Sequence, residues 1–352
     1  PVLPTIGCEQ QYHYRNKMEF SFSNKRWFMS ENDNRKPKDF ALGMHVPKRF
    51  DKVLDLDSCL LQSDTANKIL NTVKKLTQKS GLPAYDTRKH IGIWRFLVIR
   101  QGMNSGELMI NLFTSGQCQA HFQKVIDTMS SHIQKEHPEI TSFIHTVTDK
   151  KAQVAQGDYS QVFYGKNEIT EKIGNKKFSI SPEAFFQTNS FQTGVLFDTI
   201  TSLAGFKGNE TVFDLYCGTG AIGITIADKV KKVLGLEVME SAVEDAVKNA
   251  ELNNLSNIHF HQVDMKEILS KIGQWKGESP EPDVVILDPP RGGTHPSSVQ
   301  GLLKMAPAKI MYVSCNPAIL ARDLNILGKE YSLKTVQPVD MFPHTGHIEI
   351  VA

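Results

Sequence analysis

Hydrophobic and polar positions divide the chain into two regions with different periodicities. In the first region, apolar and polar residues alternate over residues 12–29, as in a strand with one buried face. Residues 41–46 are predicted to pair with this strand across a polar loop. Residues 94–100 and 108–114 are predicted to form a hairpin across a glycine-containing loop.

Two helices are predicted among these strands. The first begins with Asp64 as its N-cap and ends at Gly81, and the second ends before Pro138. Strands in hairpins with occasional helices are typical of an α+β domain with a mostly antiparallel sheet. We therefore predict such a domain over residues 1–175.

From residue 176 onward, strands alternate strictly with helices, such as the one predicted over residues 241–253. The predicted strands cover residues 212–215, 233–236, 258–263, 284–287 and 310–313, with a final pair around 333–336 and 347–351. Such alternation builds β-α-β units, in which helices join parallel strands. Residues 176–352 are therefore predicted to form an α/β, Rossmann-like domain with a doubly wound, mostly parallel sheet.

A glycine-rich loop follows the first strand of this second region. Gly218, Gly220 and Gly223 form the pattern G-x-G-x-x-G, whose glycines let the backbone turn tightly beside a ligand. Glu237 follows the next strand, where an acidic residue binds ribose hydroxyls. Asp264 ends the third strand and is either an adenine-side polar group or a helix cap. This layout predicts a site for an adenosine-containing cofactor, either a nicotinamide dinucleotide or S-adenosylmethionine.

The fourth strand ends in Asp288-Pro289-Pro290-Arg291. Two prolines fix an extended turn with few hydrogen-bond donors at the carboxyl edge of the sheet. A dehydrogenase has no evident need for this turn. A rigid turn with a carboxylate suits an enzyme that methylates a base and must hold a planar ring.

Cys315 lies where the fifth strand ends and a helix begins. The N-terminus of a helix lowers the pKa of a thiol, and the thiolate is the reactive form, although a buried cysteine is more often inert packing. Glu349 lies near the end of the chain, where the last strand re-enters the sheet. Its ordinary interpretation is a glutamate at a strand edge.

A thiol and a separate general base are what methylation of a pyrimidine at C5 requires. The thiolate adds to C6 and makes C5 nucleophilic, and the C5 proton must later leave. Cys315 and Glu349 supply this pair. The sequence leaves His344 and His347 open as alternative bases.

Cysteine usage and hydropathy indicate the compartment. The five cysteines lie far apart without a C-x-x-C pair, which argues against a disulfide framework and a self-contained zinc site and favours a reducing, cytoplasmic compartment. No apolar run approaches the roughly 20 residues that span a bilayer, and no signal peptide is visible, so no membrane association is expected. The chain begins with Pro1, so we expect that upstream sequence was removed.

The net charge of +2 is unevenly distributed. Residues 1–175 contain 24 Lys and Arg against 18 Asp and Glu. This surplus is either scatter over a solvated face or the sign of a polyanionic partner, because Lys and Arg neutralise phosphates. Residues 25–28 and 35–38 concentrate basic groups, the first stretch beside aromatic residues, as RNA-binding surfaces do.

In combination and in this order, the motifs resemble those of the RNA 5-methyluridine methyltransferases, which use S-adenosylmethionine. The similarity covers essentially the whole chain and includes residues 14–17, 185–189, 214–220, 288–291, 314–317 and 347–349. It implies a class I methyltransferase domain, with Cys315 as the nucleophile and Glu349 as the proton acceptor. The methyl donor would be contacted by Gln187, Tyr216, Glu237 and Asp288, beside Gly218 and Gly220 of the glycine-rich loop, with Asp264 as a further candidate.

Some features depart from this family. Ala221 stands where many members have an Asn that contacts the cofactor. Many relatives begin with a small OB-type RNA-binding domain, which this sequence does not include, as expected for a trimmed chain. Some also hold a four-iron, four-sulfur (4Fe-4S) cluster on four cysteines. Cys59 resembles the last of those ligands, but the other three would precede Pro1. A cluster therefore requires upstream cysteines, and a simple buried thiol is an equal interpretation of Cys59.

The chain is accordingly predicted to be an RNA (uracil-C5)-methyltransferase that acts on structured RNA, as a monomer and without an obligate protein partner. Ribosomal RNA is slightly favoured over transfer RNA, because Cys59 resembles a cluster ligand. Three alternatives stay open: cytosine-C5 methylation, a nicotinamide-dependent oxidoreductase, and a catalytically silent RNA-binding protein. The turn at Asp288 and the presence of Cys315 disfavour the oxidoreductase, and retention of both Cys315 and Glu349 disfavours the silent protein.

Overall fold

The computed structural model describes residues 1–29, 37–117, 122–267 and 281–352. None of the helices in these ranges combines the length and apolarity that a membrane crossing needs. The described residues form two compact units, called here the first and the second unit.

The first unit comprises Tyr12–Glu171 and Ser181–Glu183, and the second comprises Pro1–Gln11, Lys172–Ile180 and Ala184–Ala352. The domains predicted from the sequence meet at a single boundary, after residue 175. The observed division differs from that prediction, because Pro1–Gln11 belongs to the second unit.

An eight-stranded sheet forms the framework of the first unit, in the order β2-β4-β3-β1-β5-β6-β7-β8. Its strands are β1 (Lys17–Ser23), β2 (Arg26–Trp27), β3 (Ala41–Val46), β4 (Arg49–Asp55), β5 (Trp94–Gln101), β6 (Leu108–Thr114), β7 (Ser142–Val147) and β8 (Tyr159–Gly165). Neighbouring strands are antiparallel except in the β2–β4 and β6–β7 pairs. The predicted α+β class with a mostly antiparallel sheet is therefore confirmed, as is the hairpin of β5 and β6.

Helices α1 (Asp64–Lys79) and α2 (Phe122–Glu136) belong to the same unit. Their apolar faces share a hydrophobic cluster with alternating residues of β1, which are Met18, Phe20 and Phe22. The predicted N-cap at Asp64 is wrong by one residue. Ser63 is the N-cap, since its Oγ accepts a hydrogen bond from the N–H of Ala66 at 3.2 Å, and Asp64 places its charge in the first turn, where the helix dipole favours it.

A two-stranded sheet of β9 (Ile169–Ile173) and β10 (Lys176–Ile180) lies where the chain passes from one unit to the other. The second unit then contains a seven-stranded sheet in the order β13-β12-β11-β14-β15-β17-β16. Its strands are β11 (Thr211–Leu215), β12 (Lys232–Glu237), β13 (Ile258–Gln262), β14 (Val284–Leu287), β15 (Lys309–Ser314), β16 (Gln337–Val339) and β17 (Glu349–Val351).

The strands from β13 to β15 are parallel, whereas β17 is antiparallel to both β15 and β16. This confirms the predicted Rossmann-like domain with a mostly parallel sheet. The connecting helices are α3 (Ser190–Ala204), α4 (Ala221–Ile226), α5 (Glu240–Leu252), α6 (Pro296–Met305) and α7 (Pro317–Leu327).

Strand β16 begins after the predicted stretch 333–336. Leu333 is half exposed, whereas Val339 is fully buried, so burial favours the later residues. Pro338 lies within β16, which is possible because a strand at the outside of a sheet can lack one backbone donor. Residues 1–6 run beside this strand, and the N–H groups of Leu3 and Ile6 donate to backbone carbonyls of Val336 and Pro338 at 2.9 Å each. These bonds explain why the beginning of the chain belongs to the second unit.

Candidate active site

The predicted site residues cluster at one edge of the parallel sheet. Tyr216, Asp288 and Cys315 each follow a strand directly, after β11, β14 and β15, and Glu237 is the last residue of β12. The carboxyl ends of parallel strands meet at the same edge, which is where open α/β sheets bind ligands. Glu349 joins them because it begins β17, which runs in the opposite direction.

The β15–β17 ladder places Cys315 and Glu349 at neighbouring positions. Ser314 pairs with Ile350, so the next residues along the two strands are Cys315 and Glu349. The side chain of Cys315 is half-buried, and Glu349 is only 6% exposed. A thiol and a carboxyl group are thus brought together from positions far apart in the sequence.

The turn at Cys315 is held by its neighbours. Ser314 Oγ and the N–H of Asn316 are joined by a 3.1 Å hydrogen bond. Asn316 is the N-cap of α7, and its Oδ1 accepts from the N–H groups of Ala318 and Ile319 at 3.1 and 3.3 Å. Cys315 therefore lies at the start of a helix, as predicted.

The expected lowering of the thiol pKa is nevertheless wrong. Burial raises the pKa of Cys315, and the carboxylate charges of Glu349 and Asp288 raise it further. The positive charge of Arg291 opposes them and is outweighed. The Cys315 thiol therefore holds its proton more tightly than an ordinary cysteine does.

Two carboxyl groups beside the thiol titrate near neutral pH. Burial and the charge of Asp288 raise the pKa of Glu349 to about 8, against the opposing effect of Arg291. Removal from water raises the pKa of Asp288 to about 7, although part of its side chain still reaches solvent. Perturbed carboxyl groups that lie together at the ligand-binding edge of a sheet are typical of catalytic sites.

Arg291 and His347 form the outer side of this cluster. One terminal nitrogen of the Arg291 guanidinium lies 3.3 Å from each ring nitrogen of His347, and both residues are exposed. His344 is exposed as well. Of the three candidate bases, Glu349 is the buried one beside Cys315, whereas the His347 ring faces a permanent cation.

A buried carboxylate that sequence reasoning missed holds the loop of Asp288 and Arg291. Asp323 on α7 is completely buried and accepts hydrogen bonds from the Tyr312 hydroxyl at 2.6 Å and from Arg322 Nε at 2.7 Å. The Arg322 guanidinium also donates to the carbonyl oxygen of Thr294, at the far end of the loop, at 3.0 Å. The signal in the sequence is an Arg-Asp pair on a mostly apolar helix.

The glycine-rich loop lies against the end of β12. The N–H of Gly218 donates to Glu237 Oε2 at 3.1 Å, and Oε1 of the same carboxylate accepts from the N–H groups of Val238 and Met239 at 2.8 and 3.0 Å. Gly218 has a φ of 52°, and a Cβ built on it would meet no atom within 4 Å. Open space therefore lies beside a backbone turn and a carboxylate, which fits the adenosine part of a cofactor.

Side chains of neighbouring strands contact the same glycine-rich loop. Gly220 has a φ of 79°, and a Cβ there would lie 2.7 Å from the Phe260 ring. The N–H of Gly223 donates to Oδ2 of Asp214 at 2.9 Å. Asp214 is fully buried, and burial raises its pKa to about 7. The nearby carboxylates of Asp288 and Glu237 also raise this pKa, whereas the hydrogen bond from Gly223 acts to lower it. Asp214 was not predicted as a site residue.

Three further predicted cofactor contacts have different surroundings. Tyr216 adopts a φ of 62° and packs its ring partly against the hydrophobic cluster of the sheet, which raises its pKa by burial. Asp264 is exposed, and its Oδ1 accepts from the N–H of Lys266 at 2.9 Å, as the helix-cap alternative expected. Gln187 is half-buried, in the segment that leads to α3.

Cys59 is held in place through its backbone. Its N–H donates to Asn67 Oδ1 at 2.8 Å, its carbonyl accepts from Asn67 Nδ2 at 3.1 Å, and it packs against the hydrophobic cluster of the first unit. Among the described residues, no group of three or more His, Cys, Asp or Glu side chains is arranged to hold a metal ion.

The predicted basic stretch at residues 25–28 is partly internal. Arg26 is buried and forms a 2.8 Å ion pair with Asp55, and its guanidinium lies over the Phe28 ring. Arg26 is therefore unavailable to a phosphate. Of the other stretch, residues 35 and 36 lie outside the described residues.

Comparison with known proteins decides the family. A profile of the family described as tRNA (uracil-5-)-methyltransferase matches residues 8–351. The chain belongs to this family. The methyltransferase is 41% identical over 356 residues to an uncharacterised RNA methyltransferase of Chlorobaculum tepidum, covering 100% of this chain and 73% of that protein. It is 38% identical over 353 residues to one of Bacteroides thetaiotaomicron, covering 99% and 77%.

A solved structure extends this similarity to the fold. The tRNA (uracil-54, C5)-methyltransferase of Pyrococcus abyssi, in complex with S-adenosyl-L-homocysteine, matches with a TM-score of 0.78 and 27% identity. The match covers 100% of this methyltransferase and 77% of that chain. The predicted family, enzyme class and S-adenosylmethionine dependence are thereby confirmed, and the nicotinamide-dependent oxidoreductase is excluded.

Proposed function

We propose that this methyltransferase transfers a methyl group to C5 of a uridine in a structured RNA, through a covalent bond between Cys315 and C6 of the base. The observation that carries the proposal is the position of Cys315 beside Glu349, with Asp288 and Arg291 acting electrostatically on both groups. We assign methyl transfer to the second unit and RNA binding to the first.

Covalent attack solves the low nucleophilicity of uracil C5. When the Cys315 sulfur adds to C6, a C–S bond forms and the electrons of the C5–C6 double bond shift toward O4, which gives an enolate with a nucleophilic C5. S-Adenosylmethionine, when bound, would supply the methyl group to C5 and leave as S-adenosylhomocysteine once its S–CH3 bond breaks. Arg291 favours the thiolate, since its charge acts to lower the pKa of Cys315.

Glu349 completes the reaction as the proton acceptor. After methylation, C5 carries both the methyl group and its original proton. Glu349 takes that proton, the C5–C6 double bond re-forms, and the sulfur of Cys315 leaves C6. A pKa of about 8 lets this carboxyl group exchange protons near neutral pH, and its burial beside Cys315 favours it over His347.

Residues at the carboxyl edge of the sheet would hold the methyl donor. The Glu237 carboxylate accepts backbone hydrogen bonds but keeps further lone pairs for ribose hydroxyls. Gly218 leaves open space beside it, and Gly220 shapes the turn. The other proposed contacts are Gln187, Tyr216, Asp288 and Asp264.

We propose a transfer RNA as the substrate. This is supported by the similar Pyrococcus abyssi protein, which is named for uracil-54 of tRNA. The preference for ribosomal RNA depended on the resemblance of Cys59 alone to a cluster ligand, whereas the similarity to the Pyrococcus abyssi protein covers the whole chain. Ribosomal RNA remains the second candidate.

The test uses S-adenosylmethionine with a radiolabelled methyl group and separate unmodified transfer RNA and ribosomal RNA transcripts. We expect labelled 5-methyluridine in transfer RNA, and none with Cys315→Ala. Label in ribosomal RNA alone would overturn the substrate, and 5-methylcytidine would overturn the base. A protein that binds both RNA and S-adenosylhomocysteine but transfers no label would be a silent RNA-binding protein.

A further inference from the structure

Exposed basic groups surround an exposed aromatic ring on the first unit. Strands β3 and β4 are joined by a tight turn at Pro47 and Lys48, and Lys48 adopts a φ of 63°. Lys48 and Arg49 are exposed, and the next residue, Phe50, is 62% exposed. With Arg88 and Lys89, both exposed on the turn of residues 86–90, these residues form what we call the hairpin patch.

Contacts join the two parts of the patch. The Arg88 guanidinium lies 5.8 Å from the centre of the Phe50 ring, and its Nη2 lies 2.9 Å from Asp51 Oδ2. Asp51 is buried, but 60% of the Arg88 side chain remains exposed. A guanidinium has five N–H donors, so this ion pair orients Arg88 and leaves it able to bind an anion.

A second buried carboxylate fixes the turn. Asp86 is 3% exposed, and its Oδ1 accepts from the backbone N–H groups of Arg88 and Lys89 at 2.8 and 3.0 Å. Asn24 Nδ2 donates to Oδ2 at 2.9 Å. Burial would raise the pKa of Asp86, but these hydrogen bonds and the charge of Lys25 outweigh it and lower the pKa to about 2. Asp86 is therefore ionised at neutral pH, and Arg88 and Lys89 start from an ordered backbone.

Basic groups and an exposed ring in one place match the chemistry of RNA. Lys and Arg bind phosphates without regard to sequence, and an aromatic ring stacks on an unpaired base. An acidic protein would use the cations but would not require the exposed Phe50. Ordering Arg88 in advance reduces the conformational entropy that binding costs.

We propose that the hairpin patch is an RNA-binding surface of this methyltransferase, in which the basic side chains bind phosphates and Phe50 stacks on an unpaired base. The inference depends on the proposed function, because it names where the RNA substrate is held. It also replaces residues 25–28 as the main candidate surface, since Arg26 is buried in its ion pair with Asp55.

The test measures RNA binding by the full chain at several salt concentrations. The test variants are Phe50→Ala and Lys89→Gln, which leave the Arg88–Asp51 ion pair in place. The matched control is Lys124→Gln, which removes an exposed charge on α2. We expect Lys89→Gln to weaken binding several-fold and to reduce the slope of log affinity against log salt by about 0.7–0.9. Phe50→Ala should weaken binding by roughly 5- to 100-fold with an unchanged slope, and Phe50→Trp should restore it.

Turnover gives a second readout. The patch variants should raise the KM for RNA while leaving kcat and the KM for S-adenosylmethionine unchanged. If Phe50→Ala and Lys89→Gln bind RNA as tightly as Lys124→Gln does, the proposal is overturned. An acidic protein would then be the alternative partner of the hairpin patch. If the patch variants lose RNA binding but the wild-type protein methylates no RNA, the proposed function fails and the RNA-binding surface stands.

Discussion

The Tyr312 hydroxyl donates a 2.6 Å hydrogen bond to Asp323, whose side chain is completely buried. Tyr312 lies on β15, shortly before Cys315, and Asp323 lies on the helix that follows it. Arg322 joins this pair to Thr294, at the end of the loop that begins at Asp288. One buried carboxylate thus ties the strand of the thiol to the loop whose charges act on that thiol.

Removing this carboxylate should cost more stability than removing one of its donors. We expect Asp323→Ala to lower the free energy of unfolding by roughly 2–4 kcal/mol, because the buried Tyr312 hydroxyl and the buried N–H of Thr294 lose their acceptor. Tyr312→Phe deletes the bond to Asp323 and the 3.4 Å bond to Thr294 Oγ1 but keeps the carboxylate, and should cost roughly 1–2 kcal/mol. Urea unfolding measures both, and equal losses would contradict a central role for Asp323.

Arg291 should control the reactivity of the thiol. We expect Arg291→Gln to raise the pKa of Cys315, because the one charge that lowers it is removed. Arg291→Lys keeps that charge and should keep most of the wild-type behaviour. The measurement is the rate of Cys315 alkylation by iodoacetamide against pH, followed by peptide mass spectrometry. Identical pH profiles for the Gln and Lys variants would show that Arg291 does not act on the thiol.

Glu349→Gln should stall the reaction after methyl transfer. Without a proton acceptor the C5 proton stays, so the C–S bond cannot break and a methylated RNA adduct should accumulate on Cys315. Mass spectrometry of the denatured mixture detects that adduct. His347→Gln serves as the matched control and should still turn over. The opposite pattern, with turnover by Glu349→Gln and stalling by His347→Gln, would assign the base to His347.

Glu349 should also make the protein less stable at alkaline pH. Its folded pKa of about 8 lies above the ordinary value of 4.5, so the folded state holds this proton more tightly than the unfolded state does. The resulting stabilisation is complete below about pH 4.5 and is lost as pH rises through 8. Glu349→Gln cannot ionise and should escape this loss.

At pH 5 the free energies of unfolding of Glu349→Gln and the wild type should be nearly equal. At pH 8.5 the variant should be more stable, by on the order of 1–3 kcal/mol. Glu251→Gln, at an exposed position on α5, controls for loss of a surface charge. A difference that does not change between pH 5 and 8.5 would show that Glu349 has an ordinary pKa.

Two glycines of the cofactor loop should behave differently. A Cβ at Gly220 would lie 2.7 Å from the Phe260 ring, so Gly220→Ala should destabilise the fold. Gly218→Ala meets no atom and should cost only about 1–2 kcal/mol for its positive φ, but the methyl group enters the space beside Glu237. We therefore expect Gly218→Ala to weaken S-adenosylhomocysteine binding in calorimetry more than it affects unfolding. Unchanged binding by Gly218→Ala would place the cofactor elsewhere.

The sequence predicted best what depends on local pattern. Strands β14 and β15 lie within a residue of their predicted bounds, because continuous apolar runs between helices identify buried parallel strands. The placement of Glu237, Asp288 and Cys315 at one edge follows from that topology. Strand β16 was misplaced because burial by residues distant in the sequence decides where it begins. The strand also contains Pro338, a residue that sequence patterns disfavour in strands.

What the sequence could not predict depends on side chains from separate elements. The predicted direction of the Cys315 pKa shift was wrong because burial raises this pKa, and the charges of Glu349 and Asp288, which come from other parts of the chain, raise it further. Asp323 was missed because its partners lie on β15 and in the loop after β14. Arg26 lies in a basic stretch, and only the fold shows that its guanidinium is already paired with the carboxylate of Asp55.

The most direct test of covalent catalysis by Cys315 uses transfer RNA that contains 5-fluorouridine, together with S-adenosylmethionine. Fluorine at C5 cannot leave as a proton does, so the reaction should stop with the base bonded to the enzyme. We expect a complex that survives denaturation, with the nucleotide attached to the Cys315 peptide, and no complex with Cys315→Ala. An adduct on another residue, or none when RNA and cofactor are both shown to bind, would contradict attack by Cys315.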